Sequence, residues 1–112
     1  MRSEIVSSVV AIGDAEFETE VFGSDRPVLA YFWAPWCGPC KLVAPSVDWI
    51  ATQYGDRLKV VKLEVDPNPK SVAKCKVEGV PALRLIKGKE IVESHEGAIG
   101  KQALQAFVES GL

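Results

Sequence analysis

The chain has little cysteine, no excess of basic charge and no long apolar run, and each absence removes a class of protein. Three cysteines in 112 residues are too few for a disulfide-stapled scaffold, and an odd number cannot all pair within one chain. Thirteen basic against fifteen acidic residues give a formal net charge of -2, the wrong sign for an electrostatic grip on nucleic acid. No stretch approaches the roughly 18 consecutive apolar residues of a membrane span. Repeats, low-complexity tracts and linker-like segments are missing as well. A length of 112 residues is one domain's worth. It falls short of a doubly wound dinucleotide enzyme or a (β/α)8 barrel. An apolar content of 47% supplies a core and argues against wholesale disorder. The expectation is a single domain over residues 1–112, without a nucleic-acid or membrane partner.

The N-terminus carries a short apolar stretch, Ile5-Val6-Ser7-Ser8-Val9-Val10. Glu4 and two serines interrupt it, and Gly13-Asp14-Ala15-Glu16 is a poor cleavage site, so a first strand over Ile5–Val10 is expected rather than a secretory leader. Asp14 reads as the N-cap of a helix with Phe17, Val21 and Phe22 on one face. Pro27 opens the run Val28-Leu29-Ala30-Tyr31-Phe32-Trp33, which suits a central strand buried on both faces. Val43, Val47, Ile50, Ala51 and Tyr54 then recur at helical spacing up to Gly55, with Pro45 predicting a kink. Leu58–Val65 reads as a strand, Asp66-Pro67-Asn68-Pro69 as a turn, and Lys70–Lys76 as a short helix. Ala82–Ile86 and Ile91–Ser94 flank Lys87-Gly88-Lys89-Glu90 as a hairpin. Leu104, Phe107 and Val108 mark a last helix beginning near Gly100. The order β-α-β-α-β-α-β-β-α implies an α/β fold: one mixed sheet, parallel at first and closed by an antiparallel hairpin, with helices on both faces.

The chemically informative segment is Trp36-Cys37-Gly38-Pro39-Cys40-Lys41. A Cys-x-x-Cys lies where a buried strand ends and a helix begins. A helix N-terminus offers unpaired N–H groups and the positive end of the macrodipole, and both favour thiolate over thiol. An unperturbed thiol of pKa ~8.5 is only about 3% thiolate at pH 7, so this stabilisation matters for reactivity. Cys37, at the start, is the expected nucleophile. Cys40, one turn further in, is expected to be more buried and more thiol-like. Disulfide exchange needs that asymmetry: one sulfur attacks and the other resolves the mixed disulfide. Gly38 and Pro39 shape the turn, and Pro39 has no N–H to lose so early in a helix. Two other readings use the same cysteines. Cys37, Cys40, Cys75 and His95 form a formal Cys3His zinc set, but the last two are not a tight pair. Alternatively, the thiols are inert core residues.

Trp-Cys-Gly-Pro-Cys-Lys resembles the active site of the thioredoxin family. The match extends almost end to end: Phe32-Trp33-Ala34 before the site, Ala44-Pro45 after it, then Lys62, Asp66-Pro67-Asn68-Pro69, Gly79-Val80-Pro81 and Gly97-Ala98. Pro35 and Val77-Glu78-Gly79-Val80-Pro81-Ala82 are most similar to cyanobacterial and plastid-type members. The resemblance implies the thioredoxin fold, a central mixed five-stranded sheet flanked by four helices. It implies a protein-disulfide reductase that works through the redox-active disulfide Cys37–Cys40, with no other cofactor and no metal. It also implies re-reduction by an NADPH- or ferredoxin-dependent thioredoxin reductase, disulfide-containing target proteins, a monomer, and the cytosol of a bacterium, a cyanobacterium among the candidates. Cys37 and Cys40 are then the catalytic pair. Trp36, Gly38, Pro39, Lys62 and Pro81 tune the site, Pro81 as a cis-proline. Trp36, Gly79, Val80, Pro81, Gly97 and Ala98 form the surface that receives the target.

One position departs from the family. Most thioredoxins carry a buried Asp where this chain has Tyr31, and that acid is usually assigned proton exchange with the resolving thiol. With an ordinary pKa of ~10, Tyr is a poor base at pH 7, so water ordered by Lys62 is the expected substitute. His95 is expected at a solvent-facing strand end, Trp49 at the edge of its helix's apolar face, and Cys75 as a buried structural thiol. A non-catalytic interaction module and a disulfide-forming oxidase are the rival functions.

Overall fold

In the computed structural model, which describes residues 8–112, five strands form one sheet in the order β1-β3-β2-β4-β5. The strands are β1 (Val10–Ala11), β2 (Val28–Trp33), β3 (Lys59–Glu64), β4 (Ala82–Lys87) and β5 (Glu90–Glu96). The helices are α1 (Asp14–Phe17), continued by a π-helical turn (Glu18–Phe22), α2 (Gly38–Tyr54), α3 (Pro69–Lys74) and α4 (Lys101–Glu109). β3 pairs in parallel with β1 and β2, whereas β4 runs antiparallel to β2 and β5. This is the expected mixed five-stranded sheet with its terminal hairpin.

The period-2 alternation of β2 explains its unbroken apolar run. Leu29 and Tyr31 point to one face, where they pack with Val43, Val47, Ile50, Leu83 and Leu104 under α2 and α4. Val28, Ala30 and Phe32 point to the other, with Phe17, Val21, Val61 and Ile86 under α1 and α3. Every residue from Val28 to Phe32 is at most 3% exposed, so neither face tolerates a polar side chain without a partner. Among the described residues, no helix is long and apolar enough to cross a membrane.

Several boundaries differ from expectation. The residues before Ser8 in the expected Ile5–Val10 strand lie outside the described residues; β1 covers Val10–Ala11. Asp14 does not cap its own helix. Gly13 is the N-cap, and Glu16 reaches back to accept from the Gly13 N–H at 2.8 Å. The Asp14 carboxylate instead crosses to α3, accepting from the Lys70 and Ser71 N–H groups and the Ser71 hydroxyl. Asn68 returns the contact by accepting from the Asp14 N–H at 2.8 Å. Two helix starts separated by more than fifty residues therefore cap each other. Pro45 sits inside α2 without ending it; the carbonyl its missing N–H would have engaged belongs to Lys41, an exposed residue. β5 is longer than the expected Ile91–Ser94 because its pairing with β4 runs from Lys87↔Glu90 to Ala82↔Glu96.

Candidate active site

β2 delivers the chain to Trp33, and a turn over Ala34-Pro35-Trp36 reverses it into α2. The turn is fixed by the Cys37 N–H donating to the Ala34 carbonyl at 3.1 Å, and by Val65 N–H donating to Trp33 O at 3.0 Å. Cys37 is the N-cap of α2, and its Sγ accepts from the Cys40 N–H at 3.2 Å. The sulfur thus occupies the place a Ser or Asp oxygen takes in an ordinary cap. No acidic residue lies in the first turn of α2 to offset the positive helix end. Cys37 and Cys40 are joined as a disulfide with Cα atoms 5.4 Å apart. Cys37 is 4% exposed and Cys40 2%, so both sulfurs are shielded and the expected difference in burial is small.

The disulfide packs with Ala34, and Trp33, Val65 and Val80 close over that cluster. Val80-Pro81 is a cis peptide bond, and Pro81 is buried at the start of β4. The Pro81 carbonyl accepts from the Gly97 N–H at 2.8 Å. Gly97 adopts φ +103°, a left-handed conformation that a Cβ would strain. Trp36 is 66% exposed, and its indole Nε1–H donates to Asp66 at 2.8 Å, which ties the ring to the turn after β3. Trp36, Gly79 and Val80 share a groove of about 660 Å3 that continues along Val72 and Val77 of the α3 region. Ala98 is exposed next to Gly97, and its carbonyl lies 3.4 Å from the His95 ring. Gly38 and Pro39 are exposed at the helix start, where nothing lies within 4 Å of a Cβ built on Gly38.

Lys62 lies behind the disulfide. It lines a cavity of about 220 Å3 together with Tyr31, Trp33, Cys40 and Asp48, and its ammonium sits 5.8 Å above the Trp33 ring. Tyr31 is 3% exposed and donates its hydroxyl to the Cys40 carbonyl at 2.8 Å. Burial, and secondarily the Asp48 charge, push the Tyr31 phenol up to about 12, so it stays protonated and serves as a fixed donor. Asp48 is a cavity residue that sequence reading missed. Its signal is helical spacing, since Cys40, Ala44 and Asp48 recur every four residues along α2 and share one face. Asp66 reads in the sequence only as turn chemistry, and its role as the Trp36 acceptor is likewise tertiary.

Cys37 and Cys40 are bonded to each other, and among the described residues no group of three or more His, Cys, Asp or Glu is placed to hold a metal ion. Cys75 is fully buried, and burial pushes its thiol up to about 11, which fits the structural thiol expected. His95 is partly buried, with its ring against Phe107. Trp49 is partly buried at the edge of the core, with the Lys101 ammonium 4.2 Å above its ring.

A Cys-x-x-Cys disulfide at a helix N-terminus, packed against Val80 of a cis Val80-Pro81 bond at the end of an inner strand of a mixed five-stranded sheet, defines a thiol–disulfide oxidoreductase. Comparison with known proteins agrees. The thioredoxin family profile matches residues 8–110. Over 105 residues the chain is 61% identical to a thioredoxin-like protein of Synechocystis sp., spanning 94% of this chain and 96% of that relative. It is 43% identical over 107 residues to thioredoxin 1 of Nostoc sp., spanning 96% of this chain and all of the relative. It is 42% identical over 105 residues to a thioredoxin of Acidithiobacillus ferridurans, spanning 94% and 97%. The chain belongs to the thioredoxin family, and it is a protein-disulfide reductase whose redox couple is the Cys-x-x-Cys pair.

Proposed function

We propose that Cys37 attacks and Cys40 resolves. In the reduced protein the Cys37 thiolate displaces one sulfur of a target disulfide. The target S–S bond breaks, a Cys37–target bond forms, and the leaving thiolate takes a proton. Cys40 then gives up its proton and attacks Cys37 Sγ, which forms Cys37–Cys40 and releases the second target thiol. Two electrons and two protons pass to the target, and the disulfide in the structure is the product state. The observation that carries the assignment is the Cys37 sulfur at the N-cap of α2, accepting from the Cys40 N–H; negative charge on that sulfur is stabilised there.

The Cys40 proton leaves through the cavity it shares with Lys62 and Asp48, whose volume of about 220 Å3 has room for water. Tyr31 positions the Cys40 backbone and takes no proton. Trp36, Gly79, Val80, Pro81, Gly97 and Ala98 form the receiving surface, where an extended target segment pairs with backbone groups beside the disulfide. The protein works as a monomeric electron carrier in a bacterial cytoplasm, a compartment that keeps structural disulfides scarce. A thioredoxin reductase, driven by NADPH or ferredoxin, restores the dithiol.

The test is insulin reduction by wild type, Cys37→Ser and Cys40→Ser. Wild type turns over, Cys37→Ser is inert, and Cys40→Ser stalls as a mixed disulfide that can be isolated with its target. Activity in Cys37→Ser, or stalling there rather than in Cys40→Ser, reverses the assignment. Supplying each reductase class in turn identifies the electron source.

A further inference from the structure

Arg84 is a charged residue in the core. It lies on β4, on the same face as Ala82 and Ile86, and is 4% exposed. An apolar residue would pack there as its neighbours do, and replacing buried ion pairs by apolar groups is often neutral or stabilising. Stability therefore does not explain it, whereas its partners do. Its guanidinium donates to the carbonyls of Cys75 at 2.8 Å and Lys76 at 3.0 Å. These carbonyls end α3, where helix geometry leaves them without partners. It also donates to Leu83 O at 3.0 Å and to Glu96 at 2.7 Å. The same Glu96 oxygen accepts from the Glu78 N–H at 3.1 Å, and its other oxygen lies 3.9 Å from the place a Cβ on Gly79 would occupy.

Both residues stand on the β4–β5 ladder. Glu96 pairs directly with Ala82 across the β4–β5 ladder, and Gly97 N–H bonds Pro81 O. The segment they hold is the irregular stretch from Cys75 to Gly79. It includes Lys76 at φ +54° and leads into Gly79 and Val80, which line the same groove as Trp36.

We propose that the Arg84–Glu96 pair is a positioning device that fixes the 75–79 segment, and with it the target-receiving wall at Gly79 and Val80, against the β4–β5 ladder. It acts on docking of protein targets and leaves the sulfur chemistry alone. The inference rests on the reading of Gly79 and Val80 as target surface.

The experiment uses the reduced protein in single turnover against insulin at increasing concentration, and against 5,5′-dithiobis(2-nitrobenzoate), a small disulfide that needs no docking surface. In Glu96→Ala the half-saturating insulin concentration rises about tenfold, on the order of one lost charge-assisted hydrogen bond. The limiting rate and the reaction with the small disulfide stay as in wild type, and the Glu78 amide exchanges faster with solvent. Glu96→Gln, which keeps an acceptor oxygen, recovers part of the loss. Equal insulin saturation in wild type and Glu96→Ala overturns the proposal, as does a parallel fall in both reactions, which would signal general disruption. Val80→Asp separates the two levels. If it impairs insulin reduction while Glu96→Ala does not, the positioning role fails and the surface stands. If Val80→Asp has no effect either, the surface reading fails first.

Discussion

Replacing Tyr31 by Phe should reverse its effect on stability between neutral and alkaline pH. Near pH 8 the variant loses one buried hydrogen bond, the Tyr31 hydroxyl donating to Cys40 O at 2.8 Å, at a cost of about 1 kcal/mol. The ring itself remains in the core. Alkaline pH adds a second effect. The phenol is raised from 10.0 to about 12 by burial and by Asp48, so the fold favours its neutral form. That contribution is complete below pH 10 and is lost as pH rises towards 12. At about 1.36 kcal/mol per unit, two units amount to roughly 2.7 kcal/mol, of which about 1.4 kcal/mol is gone by pH 11. The phenyl ring of the variant has no proton to lose, whereas every other alkaline group titrates alike in both proteins. The variant is therefore less stable at pH 8, equal between about pH 10.5 and 11, and more stable above that. Urea unfolding of the oxidised protein at pH 8 and pH 11 measures the gap. A gap that keeps its sign and size over this range would refute the reasoning about Tyr31.

Three further outcomes are expected. Gly111→Ala places a methyl group into Leu85 Cδ2 beneath the end of α4. It should destabilise by about 1–3 kcal/mol, seen as a lower midpoint in thermal unfolding, and an unchanged midpoint would show that the site can relax. Burial pulls the Asp14 carboxyl up, but hydrogen bonds from the Ser71 hydroxyl, Ser71 N–H and Lys70 N–H outweigh it and hold the group below its ordinary 3.8. Its contribution is thus present above pH 4 and lost as pH falls through the lowered value. Asp14→Asn should flatten the acid limb of the stability curve, and acid limbs of equal slope would count against the cap. Cys75, buried and raised to about 11, should resist iodoacetamide at pH 8 in the folded oxidised protein and react in denaturant. Labelling of the folded protein would make it an accessible thiol.

Much of the fold is legible in the chain because its signals are local. Val28–Trp33 reads as a doubly buried strand because both of its faces meet helices, so its hydrophobicity does not alternate. The helix after the cysteines is legible from Val43, Val47, Ile50 and Tyr54, and its start from the cysteine motif itself. The boundaries that shifted did so where a distant partner decides them. Asp14 has the composition of an N-cap for its own helix, yet its carboxylate is drawn to Lys70 and Ser71. Those N–H groups lie in the first turn of α3, where helix geometry offers no intrahelical acceptor, whereas Glu16 already serves Gly13. β5 extends past the expected Ser94 to Glu96 because the full length of β4 is there to pair with it, and nothing in His95-Glu96 announces a strand.

The same division holds at the site. The reaction is written in the chain alone, because disulfide exchange depends on two sulfurs one helical turn apart at a helix start, and residues 37–40 encode that turn. The surroundings of the sulfurs come from the folded arrangement. Tyr31 and Cys40 are nine residues apart, Trp36 and Asp66 thirty, and Arg84 and Glu96 twelve. Each of these bonds exists because sheet register and helix packing bring the partners to within about 3 Å. Helix spacing alone places Asp48 on the face of Cys40, but it takes β2 and β3 beneath that face to make a cavity of it. Chemistry carried by neighbours in sequence can be read from the sequence, whereas positioning carried by neighbours in space depends on a register that no single segment contains.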